Sequence, residues 1–333
     1  MACHKVAAAS FQLVSLVSFL LFLNPYSSIF LEATTIFANS NTVDDERSNA
    51  ACIEEERKAL LEFKQGLQDP LLSLHSWVGK NCCNWHGIVC NNQTGNIIDL
   101  RLQDAQISGT LSTSIGSLSH LETLDLYNNS FSGPLPISIG NLSHLQTLDL
   151  SRNSISGPLP TSIGHLSNLQ TLNLYNNLFS GPLPISIGNL SNLQTVDLSD
   201  NSISGPLPIS IGHLSNLQTL NLSSNPISGP FPISIRNLSH LQELRLSWTA
   251  ISGPLPTWIG NLPHLQLLDL NDNSKMNGTI PESIGQLREL KYLFLAGCSW
   301  EGFISENHFR NTSRLDWFML SSEASNSLVF NML

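Results

Sequence analysis

Histidines provide the spacing in this sequence that most resembles a set of metal ligands. They return at two positions of an internal repeat: His120, His144, His240 and His264 at one, and His165 and His213 at the other. Imidazole is a common zinc ligand and titrates near neutral pH. However, these histidines stand in loops before predicted strands, where other repeats carry Asn, and no Cys or acidic residue recurs beside them. The pattern therefore favours polar loop residues, and we expect no metal site.

The sequence contains none of the common enzyme active-site motifs. The sequence has no Gly-rich phosphate loop with its Lys, no protein-kinase catalytic loop and no G-x-S-x-G turn. Its Asp and Ser pairs arise from the repeat itself. An open sheet of small polar side chains also lacks the dry pocket that shifts pKa values. We expect no catalytic residue, no cofactor and no enzymatic activity.

The internal repeat is read most easily from the phrase SGPLPISIG at 132–140. Its glycine returns with a constant step of 24 residues and a final step of 25, at Gly109, Gly133, Gly157, Gly181, Gly205, Gly229, Gly253 and Gly278. One unit reads L-x-x-L-x-x-L-x-L-x-x-N-x-x-S-G-x-x-P-x-x-I-G-x. A period of about 20 to 29 residues containing L-x-x-L-x-L-x-x-N is the signature of a leucine-rich repeat.

Each unit predicts one turn of a solenoid. Leu148 and Leu150 alternate with Thr147, Asp149 and Ser151, which is typical of a strand with one buried face. Stacked units would pair these strands. We therefore predict an α/β solenoid, a right-handed leucine-rich-repeat superhelix with a parallel concave β-sheet and a disulfide-stapled N-terminal cap.

A column of asparagines follows the strands, where a buried amide can satisfy backbone groups of adjacent turns. Its members are Asn129, Asn153, Asn177, Asn201, Asn225 and Asn273. Ala105 and Thr249 interrupt the column and weaken their turns, and Cys298 takes the ninth position. We interpret Cys298 as a buried thiol; an intermolecular disulfide and a reactive site are the alternatives.

The N-terminal residues 1–38 read as a secretory signal peptide. A short basic start precedes an apolar run from Val6 to Leu23, and small residues follow it. An uncleaved anchor is the alternative, because the run reaches the lower length limit for a membrane span. No second such run exists, so we expect no other span in this chain.

The net charge of −10 argues against nucleic acid as a partner.

The cysteines agree with export. Cys52, Cys82, Cys83 and Cys90 precede the repeats, as in a small disulfide-stapled module. Adjacent Cys82 and Cys83 cannot easily bond each other, so each should take a separate partner. We favour Cys52–Cys82 with Cys83–Cys90, and the crossed pairing stays open.

Residues 52–77 show helical periodicity, with Ala59, Leu60, Phe63 and Leu67 on one stripe and Pro70 as the stop.

The chain resembles plant extracellular leucine-rich-repeat proteins. "ERKALLEFKQGLQDP" with "CCNWHGIVC" resembles their N-terminal cap, and the unit with "SGPLP" resembles their repeat, in which a second short strand runs along the convex side. "CSWEGFISENHF" is similar to receptor-like proteins of the xylanase-elicitor receptor type. Full members continue to an island segment, a C-terminal cap and a membrane span. Since those are missing here, we expect a fragment or truncated form.

The resemblance implies the disulfides Cys52–Cys82 and Cys83–Cys90 and a setting in the apoplast or on the outer face of the plasma membrane. It also implies a peptide, glycan or protein ligand, with a co-receptor kinase as a further partner. The predicted organisation is a signal peptide at 1–38, the cap at 50–96, about nine to ten repeats at 97–320 and an incomplete last repeat at 321–333.

The concave face is where repeat proteins generally bind. Repeats two to six are nearly monotonous there, whereas the seventh introduces Glu243, Arg245 and Trp248 together, the residue types of a binding hot spot. Trp248 could instead pack on a neighbouring turn, and the monotonous face could be solvated structure. Acidic residues in one column weakly suggest basic or hydroxyl-rich partners. The candidate ligand-binding residues are Glu243, Arg245, Trp248, Tyr127, Tyr175, Arg152 and Asp197.

N-glycosylation sequons are frequent and recur with the repeat. They lie at Asn92, Asn128, Asn141, Asn189, Asn221, Asn237, Asn277 and Asn311. Asn141, Asn189 and Asn237 share one convex position, where glycans would cover that side. Asn128 and Asn221 lie on the concave face, where a glycan would block binding locally.

We therefore predict an extracellular recognition module that binds through its concave face, in plant immune or developmental receptor signalling. The alternative is a secreted inhibitor of a pathogen's cell-wall-degrading enzyme, similar to a polygalacturonase inhibitor. A third interpretation is a soluble decoy or truncated gene product.

Overall fold

The computed structural model describes residues 51–322 and 328–331. The predicted signal peptide lies outside the described residues. Among the described residues, no helix combines the length and apolar character needed to cross a membrane.

The described residues form one α-helix, α1 (Glu54–Gln65), together with strands and 3₁₀ helices. The strands are β1 (Leu67–Gln68), β2 (Ile88–Cys90), β3 (Ile97–Arg101), β4 (Ser108–Thr110), β5 (Thr123–Asp125), β6 (Ser130–Pro134), β7 (Thr147–Asp149), β8 (Ser154–Gly157), β9 (Thr171–Asn173), β10 (Leu178–Gly181), β11 (Thr195–Asp197), β12 (Ser202–Ile203), β13 (Thr219–Asn221), β14 (Ser228–Gly229), β15 (Glu243–Arg245), β16 (Ala250–Ile251), β17 (Leu267–Asp269), β18 (Asn277–Thr279), β19 (Tyr292–Ser305), β20 (Trp317–Ser322) and β21 (Leu328–Asn331). The 3₁₀ helices are Cys82–Asn84, Thr113–Ser117, Ile137–Asn141, Thr161–His165, Ile185–Asn189, Ile209–His213, Ile233–Asn237, Thr257–Asn261, Glu282–Gln286 and Glu306–Phe309.

The long sheet contains one strand from each repeat. The odd-numbered strands β3 to β19 and then β20 pair in parallel, and β2 adds to β3 antiparallel. The register advances by one repeat per strand, so Leu148 is paired with both Leu124 and Leu172. These leucines are fully buried. Because side chains alternate along a strand, the residues beside them point away from the core. This outward surface is the concave face, and the predicted parallel sheet is confirmed.

A second set of short strands runs along the opposite, convex side. Strands β4, β6, β8, β10 and β12 pair in parallel, with β1 antiparallel to β4 at one edge. The pairing resumes between β14 and β16, and the second half of β19 pairs with β18 and β21. The convex strand expected from the SGPLP motif is therefore present. One 3₁₀ helix per repeat then returns the chain to the long sheet.

The N-terminal cap covers one end of the core. Helix α1 buries Ala59, Leu60 and Phe63, as the stripe predicts. It ends at Gln65, earlier than the predicted stop at Pro70, because Leu67 begins β1 and pairs with Gly109. Leu67 is therefore a strand residue and not a member of the helical stripe.

The cap disulfides join Cys52 to Cys82 and Cys83 to Cys90, with a Cα–Cα distance of 5.4 Å in each. This confirms the favoured pairing and excludes the crossed one. The carboxylate of Glu56, on α1, accepts a hydrogen bond of 2.7 Å from the backbone N–H of Ile97 in β3. The two disulfides thus cross-link the cap internally, and the Glu56 hydrogen bond connects it to the first strand of the sheet.

Candidate functional site

The middle of the concave face is a grid of amides and hydroxyls. Every repeat from the second to the sixth presents a half-buried Thr, and the third to sixth add an exposed Gln just before it. The threonines are Thr123, Thr147, Thr171, Thr195 and Thr219, and the glutamines are Gln146, Gln170, Gln194 and Gln218. Since strands of a sheet lie about 4.8 Å apart, equivalent groups recur at that interval across the face.

Beside this grid, acidic residues form a ladder with asparagines. Asp149 accepts hydrogen bonds from the backbone N–H and hydroxyl of Ser151, and from the amide of Asn173 at 2.9 Å. The same arrangement returns two repeats later, where Asn221 donates to Asp197 at 3.1 Å. Asp197, predicted from the sequence to contact a ligand, is only 4% exposed. Its carboxylate therefore serves the ladder, and we remove it from the candidate contact residues.

Burial raises the pKa of this acidic column, contrary to the expectation that an open face would shift none. Desolvation is the largest cause at Asp125, whose pKa rises to about 6, and the carboxylate of Asp149 adds to the rise. Desolvation likewise raises the pKa of Asp149, Asp197 and Asp269, although hydrogen bonds from neighbouring groups oppose it. The column is thus a weaker source of negative charge than its composition suggests.

Three of the predicted site residues form one cluster. The guanidinium carbon of Arg152 lies 5.9 Å from the ring centroid of Tyr127 and 5.8 Å from that of Tyr175. The two tyrosines stand two repeats apart, and Arg152 occupies the repeat between them. We call Tyr127, Arg152 and Tyr175 the arginine clamp. Both distances are within the range of a cation–π interaction.

Arg152 and Trp248 share an unusual backbone conformation. In consecutive repeats, the residue just before the asparagine-column position (Asn153 after Arg152, Thr249 after Trp248) is left-handed, with φ of 53° at Arg152 and 55° at Trp248. The other residues at this corner are Asp104, Asn128, Asn176, Asp200, Ser224 and Asp272. Asn and Asp tolerate this conformation best among non-glycine residues, whereas bulky side chains rarely adopt it. Arg152 and Trp248 occupy this corner although its backbone conformation disfavours them, which indicates that they are retained for a function and not for folding.

The other predicted hot-spot residues lie near Trp248. Arg245 forms an ion pair with Glu243 at 2.9 Å, within strand β15. Trp248 is 63% exposed and therefore does not pack on a neighbouring turn, the alternative considered from the sequence. The structure thus brings Glu243 and Arg245 into contact and leaves Trp248 open to solvent.

Sequence reasoning missed an apolar patch in the last two described rungs of the concave face. Tyr292 stacks on Phe294 with ring centroids 6.5 Å apart, and Trp317 and Met319 pair with them across β19 and β20. Trp317 is 54% and Met319 41% exposed. The L-x-x-L-x-L spacing of residues 315–320 could have found these residues, because it assigns 317 and 319 to the outward positions.

Histidines of the first column, which contains His144 and His240, hold adjacent loops together. His144 Nδ1 lies 2.9 Å from the carbonyl oxygen of Ser119, and His240 Nδ1 lies 2.8 Å from that of Ser215. Asn192 donates from the equivalent position to Ser167 at 2.9 Å. The alternation of His and Asn in this column therefore has a structural reason. Within the described ranges, the single group with metal-ligating geometry is Cys52, Cys82 and Cys83, which are all disulfide-bonded.

Cys298 is fully buried, and its thiol donates to the carbonyl oxygen of Leu270 at 3.3 Å. Asn273, in the asparagine column one repeat earlier, donates in the same way to the carbonyl oxygen of Leu246.

Asn221 is half-buried, and its amide nitrogen already donates to Asp197 and Ser199. The sequons whose asparagine is exposed are Asn92, Asn128, Asn141, Asn189, Asn237, Asn277 and Asn311.

Family comparisons match most of the described chain. Residues 53–91 match the leucine rich repeat N-terminal domain, and residues 96–179 match a leucine-rich repeat region. The leucine rich repeat family matches residues 167–227, 191–251 and 239–299.

Several plant proteins are similar over shorter stretches. Receptor-like protein EIX2 of Solanum lycopersicum is 40% identical over 96 residues, which cover 25% of this chain and 9% of EIX2. A polygalacturonase inhibitor of Pyrus communis is 32% identical over 101 residues, 30% of this chain and 29% of the inhibitor. The matched stretches thus span less than a third of either relative.

Solved structures extend the similarity along the fold. The plant peptide hormone receptor RGFR1, in complex with RGF2, superposes with a TM-score of 0.65 and 36% sequence identity. The match covers 71% of this chain and 36% of RGFR1.

Proposed function

Because this chain belongs to the leucine-rich-repeat proteins and is homologous to plant receptor-like proteins and receptor kinases, we propose that it is an extracellular recognition module that binds a partner through its concave face. It performs no chemistry of its own. Its setting is the apoplast or the outer face of the plasma membrane, and its role is in immune or developmental receptor signalling. A co-receptor kinase is proposed as a second partner.

The observation that carries this proposal is the exposure of Trp248 beside the clustered charges of Arg245 and Glu243. Trp248 is exposed and has a left-handed backbone, so it adds little to the core and strains the chain. Tryptophan is also one of the residue types that most often anchor binding interfaces. The disulfide-stapled cap agrees with an oxidising compartment. The neighbouring grid of Gln and Thr offers hydrogen-bonding groups around this anchor.

A glycan placed on the concave face tests the proposal. Asp200 is exposed at the left-handed corner, and Asp200→Asn creates the sequon Asn-Asn-Ser with residues 201 and 202. The matched control is Asp200→Asn with Ser202→Ala, which keeps the Asn but removes the sequon. Both proteins would be secreted from plant cells, with glycan occupancy checked by mass spectrometry.

The probes are a phage library of random linear peptides and an array of plant cell-wall glycans, both screened with the wild-type protein. We expect the bound ligands to lose at least tenfold in affinity with the glycosylated variant and to keep their affinity with the control. Ligands that bind both proteins equally would place recognition away from the concave face and contradict the proposal.

A second candidate function is inhibition of a pathogen's cell-wall-degrading enzyme, which the similarity to the Pyrus communis inhibitor favours. A direct assay of fungal endopolygalacturonase with the purified protein separates the two functions. Inhibition at nanomolar concentration without any membrane partner would support the inhibitor, and full activity of the enzyme at micromolar protein would exclude it for that enzyme.

A further inference from the structure

The arginine clamp has a geometry that a purely structural residue would not need. Tyr127 and Tyr175 lie against Arg152 at 5.9 and 5.8 Å, so that aromatic rings hold its guanidinium from both neighbouring repeats. The two rings restrict the long side chain, and this lowers the entropy that Arg152 would lose on binding. The clamp therefore presents a preorganised cation.

The hydrogen-bonding groups of this cation are unused. In the part of the chain that the structure describes, the Arg152 guanidinium makes no ion pair or hydrogen bond, and the residue is exposed. Arg245, the other arginine on the outward face of the middle repeats, is neutralised by Glu243 at 2.9 Å. A guanidinium has five N–H donors arranged for bidentate contact with a carboxylate. Arg152 thus offers that contact where Arg245 does not.

The backbone supports the same interpretation. Arg152 has φ of 53° at a corner where the other repeats carry Asn, Asp or Ser, except for Trp248 in the seventh. A long side chain in this conformation costs free energy that those residues largely avoid. The two exposed cation–π contacts with Tyr127 and Tyr175 offset some of this cost. Asn or Asp would fit the corner without needing such contacts, so the arginine is not retained for folding alone.

We propose that Tyr127, Arg152 and Tyr175 form a subsite for a single carboxylate of an extended peptide. This rests on the proposed function of the concave face and deepens it by naming a ligand group and the residues that bind it. The guanidinium edge takes the carboxylate, and the tyrosine rings hold the guanidinium plane and pack against the peptide beside it.

The surrounding charges favour an isolated carboxylate over a polyanion. Asp125 lies in the same repeat as Tyr127 and Asp149 in the same repeat as Arg152, and both are half-buried. A polyuronate carries one carboxylate per sugar, and the carboxylates beside the one at Arg152 would lie near Asp125 and Asp149, which repel an anion once pH exceeds their raised pKa. A peptide can place one acidic side chain, or its C-terminal carboxylate, at Arg152 and neutral residues elsewhere.

Trp248 offers the ligand a second contact, and its distance from Arg152 sets the spacing between the two groups of the ligand that are bound. It occupies the same corner four repeats after Arg152. Four strand spacings are roughly 19 Å, and an extended chain covers that distance in about six residues. The ligand should therefore carry a large apolar side chain about six residues from its carboxylate.

A peptide series tests this subsite directly. The probes are acetylated and amidated peptides in which Glu and Phe are separated by two to eight Ser and Thr residues, each paired with a Gln-for-Glu counterpart. A further pair compares a free and an amidated C-terminus in place of Glu.

Because a glycan on Asn128, next to Tyr127, would cover the clamp, every protein in this series would carry Ser130→Ala, which removes that sequon and keeps the asparagine. Dissociation constants would be measured by calorimetry for this parent protein (the wild type of the comparison) and for Arg152→Ser, Arg152→Lys and Trp248→Asn. Arg236→Ser, at an exposed convex position, is the control for net charge.

With the wild-type protein, we expect at least a fivefold preference for Glu over Gln, strongest near five intervening residues. The preference should vanish in Arg152→Ser, shrink in Arg152→Lys, which keeps the charge but loses the planar fork, and persist in Arg236→Ser. Trp248→Asn should remove the dependence on spacing. Thermal unfolding midpoints that do not fall in Arg152→Ser would confirm that folding is intact.

Equal binding of Glu and Gln peptides, a preference that survives Arg152→Ser, or no binding of any peptide to the wild type would overturn the subsite. These outcomes are distinct from failure of the proposed function. If the ligands found by screening are blocked by the glycan at position 200 but show no carboxylate preference, only the subsite fails.

Discussion

The side-chain amide of Asn201 donates to the carbonyl oxygen of Leu174, one repeat earlier, at 3.0 Å and to that of Leu198, in its own repeat, also at 3.0 Å. Its carbonyl oxygen accepts from the backbone N–H of Phe179 at 2.9 Å. One buried side chain thus satisfies polar backbone groups in two adjacent turns. Repeated along the chain, this bonding makes each turn depend on its neighbour.

Removing that amide should destabilise the solenoid markedly. Asn201→Ala leaves buried N–H and C=O groups without partners, and we expect a loss of about 2 to 4 kcal/mol in the free energy of unfolding. Urea denaturation followed by circular dichroism measures it. Asn216→Ala is the matched control, because Asn216 makes one exposed hydrogen bond, to Ser191. A loss in Asn201→Ala no larger than in the control would contradict the stabilising role of the asparagine column.

Glycine is required for a different reason where successive turns approach closely. A Cβ atom on Gly188 would lie 2.4 Å from the carbonyl oxygen of Ser210 in the next repeat. Gly188→Ala should therefore separate two turns and lower stability by about 2 kcal/mol or more. Gly66→Ala is the comparison, because the atom nearest to a Cβ there would be the Phe63 carbonyl oxygen at 3.9 Å, an ordinary contact distance. Thermal unfolding should show a lower midpoint for the first variant and little change for the second.

Much of this architecture is predictable from the period alone. Leu148 and its equivalents define the buried face, the constant step of the repeat determines the register, and the cysteine spacing favours the observed disulfides. Each of these depends on residues close in sequence or on strict repetition. The end of α1 was less predictable, because Leu67 fits a helical stripe as well as it fits β1.

The site was harder to predict because its features arise between repeats. Tyr127, Arg152 and Tyr175 are more than 20 residues apart, and their contact exists only once three turns are stacked. The raised pKa of Asp125 likewise depends on how neighbouring rungs exclude water, which no single repeat encodes. Sequence reasoning could name the outward positions but not their desolvation.

The raised pKa of the acidic column predicts a pH dependence of stability. Asp125 has a folded-state pKa of about 6 against an ordinary value of 3.8, so the folded protein binds the proton more tightly than the unfolded chain between those values. Stability contributed by this group is therefore present at low pH and is lost as pH rises through that window. Asp149, Asp197 and Asp269 act in the same direction.

Thermal midpoints measured from pH 4.5 to pH 7 check this prediction. We expect the wild-type midpoint to fall as pH rises (roughly a few degrees) and the slope to become smaller in Asp125→Asn, which cannot ionise. An equal slope in both proteins would show that Asp125 does not carry the effect.

Replacing Trp248 should make the protein more stable. The residue combines 63% exposure with φ of 55°, so Asn loses little buried area and fits the left-handed corner better. We expect Trp248→Asn to raise the free energy of unfolding by up to about 1 kcal/mol. Trp317→Asn is the control, because Trp317 is 54% exposed in strand β20, outside the left-handed corner.

The control variant should gain no stability, since it relieves no unfavourable backbone conformation. A gain in Trp248→Asn together with weaker ligand binding would mean that this tryptophan is retained for recognition against a cost in stability. A loss of stability in Trp248→Asn would instead assign it a packing role, and the concave face would then lose its most exposed aromatic contact.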